Sequence, residues 1–439
     1  MTQSVSAPTE HQDIDPRKVR KVILAGCAGV FVELYDNGIF GFMATTLAIV
    51  FFQANSPSDA LMLVFAGYAV SFLVRPLGAY VCGILGDKIG RQKLLVFCIM
   101  LISVATAGIG LLPTYAAIGM AAPVLLIALR ILQGFSVGGE TSGALTFLAE
   151  YAPQGKRGLI TSFAQLASFL ALLTGTIVAY LMYQVLPIEA VTSWGWRIPF
   201  LIAVPMGFIG WYIRKSIEDT PHFLKLKEEG GLSDNPMKEA FSSPVHRRAM
   251  ILALFIPLMN GAGYYVLFSY MPAFMNSSLN FPVAQGLMVT GVSLIAICIA
   301  IPMAGKLSDK VGRKKVLIAS SVAMAVAGIP GYALIATGSL PLAILGASVL
   351  AIIFAGHTGV MHVMIIELFP TRVRYSAYGL GYNISTAIFG GTAPLLMTWL
   401  ISISGNVYMP AFYMVLTSVG TLIAVSTVTD RAHEPLRDA

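Results

Sequence analysis

The chain has 439 residues, of which 56% are hydrophobic and 11% charged, with a formal net charge of +7. That balance excludes an ordinary soluble globular protein, in which about a quarter of residues are charged, and fits a polytopic membrane protein. The positive charge follows from the bias of its loops and requires no nucleic-acid partner.

Apolar stretches of about 20 residues cross the hydrocarbon core as helices. Twelve are expected, at roughly 22–50, 61–85, 94–112, 118–148, 159–184, 197–213, 249–275, 285–306, 316–336, 341–366, 376–402 and 408–428. All 28 Lys and Arg fall at alternate ends of these segments, except Arg75, Arg130 and Arg197. Short cytoplasmic loops collect basic residues, so both termini are expected in the cytoplasm.

The polar tail 1–21 precedes segment 1, whose apolar run is too long for a signal-peptide core. Segment 1 contains FVELYDNGIFGF (31–42), which places Glu33 and Asp36 within the apolar run, with Tyr35 between them. Segment 2 contains Arg75 and ends in GILGDKIGRQK (83–93). Segment 4 contains RILQGFSVGGE (130–140), with Arg130 and Glu140 at its ends and glycines at positions 134 and 138 that let a neighbouring helix approach closely. GFSVG also fits a nucleophile-elbow pattern, but it lies in an apolar helix and not at a strand-to-helix turn, so the match is accidental. EYAPQGKR (150–157) separates segments 4 and 5.

A polar stretch at 214–248 reads as a cytoplasmic linker between two halves, 22–213 and 249–428. The second half repeats the first half's loop motifs. GKLSDKVGRKK (305–315) shares G-x-L-x-D-K-x-G-R-x-K with residues 83–93, and ELFPTRVR (367–374) shares E-x-x-P-x-x-x-R with residues 150–157. The architecture read from this is all-α, two bundles of six helices each, followed by a tail at 429–439. The motif residues Gly83, Asp87, Gly90, Arg91, Glu150, Arg157, Gly305, Asp309, Gly312, Arg313, Glu367 and Arg374 are expected to gate the cytoplasmic face through charge pairs. Cys27, Cys82, Cys98 and Cys298 have no metal spacing and read as small packing residues; no cofactor or metal is expected.

The doubled loop motif resembles the signature of the major facilitator superfamily over essentially the whole chain. ELYDNGIFGF, FLVRPLGA, RILQGFSVGGE, FLAEYAPQGKRG, WGWRIPF, EDTPHF and FPTRVRYSA are similar to the metabolite:proton symporter family, which includes carriers of proline and betaine, 2-oxoglutarate, shikimate and citrate. GDKIGRQK, QGFSVGGE, YYVLFSYMPAF and RVRYSAYGLGYNIS are most similar to its osmoprotectant members. The chain departs from those members in carrying Arg130 where they have lysine, and in ending soon after segment 12 where they continue into a coiled coil. The resemblance implies a major facilitator fold, a bacterial inner-membrane location and a cavity lined by segments 1 and 4.

Each charge inside a membrane helix costs about 2.5–3.5 kcal/mol near the bilayer centre, so Glu33, Asp36, Arg75, Arg130 and Glu140 must face one another or water. A carboxylate in a low-dielectric site keeps its proton until a cation approaches, which is the behaviour a proton-coupled carrier needs. Asp36 is expected to carry the proton, with Arg130 as its partner and Glu33 and Glu140 alongside. The second half offers polar and aromatic groups: Asn260, Tyr264, Tyr265 and Tyr270, His357 and His362, Tyr378, Tyr382 and Asn383. Tyrosine rings can receive a quaternary ammonium, and Arg75 can hold a carboxylate. Tyr35, Arg75, Asn260, Tyr264, Tyr265, His357, Tyr382 and Asn383 are the expected substrate ligands.

Two buried arginines suit a zwitterion better than a di- or tricarboxylate. The expectation is a monomeric, non-enzymatic transporter that takes up a small polar metabolite with protons, most simply an osmolyte or amino acid such as proline or betaine. The alternatives are an organic-acid symporter and, further off, a drug-efflux antiporter; segment 5 lacks the proline of the efflux relatives' motif. No HExxH or P-loop supports an intramembrane enzyme.

Overall fold

The computed structural model describes residues 16–89, 91–138, 141–215, 244–434 and 436. Twelve helical spans run through it. Span 1 is Pro16–Phe42 followed, after a 64° bend, by Ala44–Phe51. Span 2 is Pro57–Leu73 continued by Arg75–Ile89, span 3 is Arg91–Leu111, and span 4 is Ala121–Val137 with Thr141–Tyr151. Span 5 is Arg157–Val185 and span 6 is Ile188–Ile213. In the second half span 7 is built from Pro244–Phe255, Leu258–Tyr264, a π-turn at Tyr265–Ser269 and Met271–Leu279. Spans 8, 9 and 10 are Val283–Val311, Arg313–Ile335 and Leu340–Leu368. Span 11 is Thr371–Ser385, a π-turn at Thr386–Gly391 and Ala393–Ser404, and span 12 is Met409–Ser426; span 6 also carries a π-turn, at Val191–Gly195.

Span 6 runs on as helix to Lys215, and span 7 begins at Pro244, so helix enters both ends of the stretch expected to be linker. The remainder of that stretch lies outside the described residues.

Glycines set how tightly spans 2 and 4 pack. A β-carbon on Gly134 would stand 1.8 Å from the Ser71 carbonyl oxygen, and one on Gly138 would stand 2.1 Å from that of Arg75. Only hydrogen fits at either place, and the resulting contact draws the backbones carrying Arg75 and Arg130 together.

Past span 12 the chain folds back onto the end of the molecule that carries the basic loops. Asp430 accepts the first backbone N–H groups of span 9, from Arg313 at 3.2 Å and Lys314 at 3.0 Å, where a helix N-terminus favours an anion. Lys314 Nζ donates to the Ser426 and Val428 carbonyls at 2.6 and 2.8 Å, and Arg157 of the first half donates to the Glu434 carbonyl.

Candidate functional site

Span 1 carries Glu33, Asp36 and Asn37 into the centre, each 2% exposed. Asp36 turns into its own half. Its Oδ1 accepts from Thr106 Oγ1 at 2.5 Å and Gln133 Nε2 at 2.6 Å, and its Oδ2 faces Arg130 Nη1 at 3.8 Å. Arg130 donates to Gln133 Oε1 at 2.8 Å and Ser71 Oγ at 3.3 Å, and its guanidinium lies over Phe40 at 4.0 Å and Tyr68 at 5.1 Å. Opposite charge, neutral acceptors and ring faces together hold a cation that alone would cost several kcal/mol to bury. Oδ2 of Asp36 accepts no hydrogen bond among the described residues, so the pair is close without being locked.

Arg75 looks the other way. It donates from Nη2 to Asn37 Oδ1 at 3.0 Å and covers Phe72 at 3.6 Å, while its buried Nε finds no acceptor among the described residues. Phe72 packs edge-on against Tyr265 of the second half at 5.0 Å, and Tyr68 does so at 6.0 Å. The π-turn in span 7 makes this possible, since an extra residue per turn swings side chains out of helical register.

Behind Tyr265 stands a wall of polar rings. Tyr264 lies 4.9 Å from Tyr265, Tyr382 is stacked on Tyr378 at 5.9 Å, and His362 meets Tyr382 at 5.1 Å and bonds Tyr378 through Nδ1 at 2.7 Å. Glu33 lies within electrostatic reach of the Tyr264, Tyr265, Tyr378 and Tyr382 hydroxyls. Asn260 Oδ1 and the Tyr264 hydroxyl are buried with no hydrogen-bond partner among the described residues. The centre thus presents a cation and an anion from the first half to an aromatic wall of the second.

At the basic face the repeated motifs exchange partners. Arg157 Nη1 meets Glu367 Oε1 at 2.8 Å, and Arg374 Nη1 meets Glu150 Oε1 at 2.9 Å, so each half's E-x-x-P-x-x-x-R pairs with the other's. Asp309 accepts the Gly158 and Leu159 N–H groups at 2.8 and 2.9 Å, at the N-terminus of span 5, and Arg313 Nη1 at 2.7 Å. Gly158 and Gly305 allow the contact: a β-carbon on either would stand 2.6 Å from the other's carbonyl oxygen. Gly312 turns the chain between spans 8 and 9 at φ +101°. With these contacts made, the two halves are shut at the basic face.

Not every expected residue joins these clusters. The Tyr35 hydroxyl donates to the Pro199 carbonyl at 2.9 Å, inside the first half, and Asn383 donates to the Gly138 and Gly379 carbonyls at 3.3 and 2.8 Å, at the contact between halves. His357 is fully buried and stacks on Phe354 at 6.3 Å, neither ring nitrogen having a partner among the described residues. Gly83, Asp87 and Arg91 lie on helical backbone whose side chains are not described, and Gly90 and Glu140 fall outside the described residues. Conversely, Asn37, Thr106, Gln133, Tyr68 and Phe72 are central without having drawn notice in the sequence; Gln133 could have been found as the amide one turn beyond Arg130.

Two six-span halves, closed at one face by reciprocal charge pairs around a buried charged centre, define a secondary transporter of the alternating-access type. Residues 21–235 match the family described as Sugar (and other) transporter, and residues 254–439 match Major Facilitator Superfamily. The chain is 38% identical over 434 residues to a proline/betaine transporter of Salmonella typhimurium, covering 97% of this chain and 86% of that one. It is 37% identical over 433 residues to the glycine betaine/proline/ectoine/pipecolic acid transporter OusA of Dickeya dadantii, with the same coverage. In fold it is similar to the proton:xylose symporter XylE bound to 6-bromo-6-deoxy-D-glucose, at a TM-score of 0.80 and 17% identity over 95% of this chain and 97% of that one. The chain belongs to the major facilitator superfamily and, within it, to the metabolite:proton symporter family.

Proposed function

We propose that this protein is a proton symporter of the bacterial inner membrane that takes up a small zwitterion, of the proline and betaine kind, by alternating access. The observation that carries this reading is the division of the buried charges. Arg130 is committed to Asp36, Gln133 and Ser71 within the first half, which leaves Arg75 as the described central cation turned toward the second half. One available cation matched by one carboxylate, Glu33, across from Tyr264, Tyr265 and Tyr382 suits a ligand with both signs. A di- or tricarboxylate would need several convergent cations, which disfavours the organic-acid reading. The names of the relatives point the same way.

In this reading Arg75 takes the substrate carboxylate. Its ammonium or quaternary nitrogen sits against the tyrosine faces near Glu33. Asp36 receives the proton when Arg130 withdraws and loses it when Arg130 returns. The pairs Arg157–Glu367 and Arg374–Glu150 hold the cytoplasmic side shut until the loaded carrier rearranges. One proton entering down 100 mV supplies about 2.3 kcal/mol, roughly a fifty-fold accumulation.

Proteoliposomes containing the purified protein test it. With an imposed inward proton gradient, labelled betaine and proline accumulate, and a protonophore abolishes the accumulation. Uptake of 2-oxoglutarate or citrate without either zwitterion would overturn the substrate class, and accumulation indifferent to the protonophore would overturn the coupling.

A further inference from the structure

Between the substrate cation and the proton pair stands one side chain whose contacts tie both together. Asn37 Oδ1 accepts from Arg75 Nη2 at 3.0 Å, and its Nδ2 donates to the Glu33 carbonyl one turn back at 3.1 Å. Those two bonds fix the amide's orientation, because turning it over would set a donor against the guanidinium and an oxygen against a carbonyl. Its backbone carbonyl accepts from the Tyr68 hydroxyl at 3.4 Å, and the Tyr68 ring lies 5.1 Å under the Arg130 guanidinium and 6.0 Å from Tyr265. Asp36 is its neighbour in sequence. From Arg75, through the Asn37 turn and the Tyr68 ring, a continuous set of contacts reaches Arg130 and Asp36.

The residue type matters as much as the place. Arg75 is 4% exposed and would ordinarily be paired with a carboxylate, since an unpaired buried cation is costly. An amide oxygen holds the guanidinium in position while leaving its charge unneutralised. An aspartate would hold it more strongly and compete with any incoming carboxylate.

We propose that Asn37 is the positioning residue that couples substrate binding to the proton pair. In the empty carrier it retains Arg75 as a neutral stand-in for the substrate carboxylate. When substrate takes Arg75, the Asn37 amide is released, and the span 1 turn that carries Asp36 and receives the Tyr68 hydroxyl is free to shift against Arg130. This rests on the reading of Arg75 as the substrate's carboxylate anchor.

The test compares Asn37→Asp, Asn37→Gln, Asn37→Ala and Arg75→Gln with wild type in proteoliposomes. KM for betaine is measured by counterflow exchange, which needs no proton gradient, from pH 5 to pH 8, alongside gradient-driven uptake. The titratable and charged groups around position 37 are Glu33 and Asp36 on span 1, Tyr68 and Arg75 on span 2, Arg130 on span 4 and Tyr265 on span 7. In Asn37→Asp the new carboxylate pairs with Arg75, so KM relative to wild type rises about tenfold at pH 8, the weight of one charge-assisted contact. The rise persists from pH 5 to pH 8, because a carboxylate held against Arg75 stays ionised through that range, and Asn37→Gln, which keeps a neutral acceptor, brings KM back toward wild type. Asn37→Ala keeps exchange but loses most gradient-driven accumulation. A merely structural role would reduce all the rates together and show no rescue of KM by Asn37→Gln. If Arg75→Gln raises KM while Asn37→Asp leaves KM at the wild-type value throughout, Asn37 has no part in coupling. If Arg75→Gln leaves KM unchanged, the carboxylate anchor itself is wrong and the proposal falls with it.

Discussion

Arg130 and Asp36 form a buried pair, close at 3.8 Å without being locked, and removing one member leaves the other's charge without its counter-charge. Arg130→Gln is therefore expected to destabilise the protein by about 3–5 kcal/mol. The double variant Asp36→Asn with Arg130→Gln, which removes both charges, should recover much of that loss. Thermal unfolding of the purified proteins in detergent measures it; a double variant no more stable than Arg130→Gln would show that pairing is not what the two residues supply. At this scale the sequence reveals what hydrocarbon makes costly. Glu33, Asp36, Arg75 and Arg130 stand out because charge at membrane depth demands a reason. Thr106, Gln133 and Asn37 do not, because a hydroxyl or amide can satisfy itself on its own helix, as Thr106 does with the Ile102 carbonyl at 2.8 Å. Nor does spacing settle aim: Glu33 and Asp36 are three residues apart on one side of span 1, yet the angle between them is wide enough that Asp36 meets span 3 and span 4 while Glu33 lies within electrostatic reach of the tyrosines of the second half.

The spans themselves are governed by backbone contact more than by side-chain identity. Gly134→Ala would drive a methyl into the Ser71 carbonyl, 1.8 Å away, and push span 2 off the turn that holds Arg130. It is expected to cost about 1–3 kcal/mol and most of the transport rate. Gly26→Ala, whose β-carbon would meet Leu148 at an ordinary 3.6 Å, should transport as wild type. Uptake assays matched for membrane abundance separate the two; equal rates would mean that spans 2 and 4 yield without consequence. Element number and order were legible because twelve apolar runs are set apart by polar or basic loops and because the loop motifs recur. The 64° bend at Met43 was not, since no proline marks it, and neither were the π-turns of spans 6, 7 and 11, whose extra residue per turn leaves no periodic signal in a largely apolar run.

Across the whole molecule, the two halves meet at the basic face through charges that each lends the other. Arg157→Gln and Glu367→Gln, singly, should favour the state open at the basic face. A cysteine introduced beside Gly305 would then label faster from that side, and labelling no faster than in wild type would mean that the pair does not hold the gate. Exchanging the other pair, Glu150→Arg with Arg374→Glu, should restore closure that either single change weakens. Asp36→Asn tests proton coupling most directly. In proteoliposomes the wild type should alkalinise the outer medium when betaine is added, and Asp36→Asn should exchange betaine across the membrane while neither moving protons nor accumulating substrate. An Asp36→Asn variant that still accumulates betaine against its gradient would contradict the assignment of Asp36 as the proton carrier.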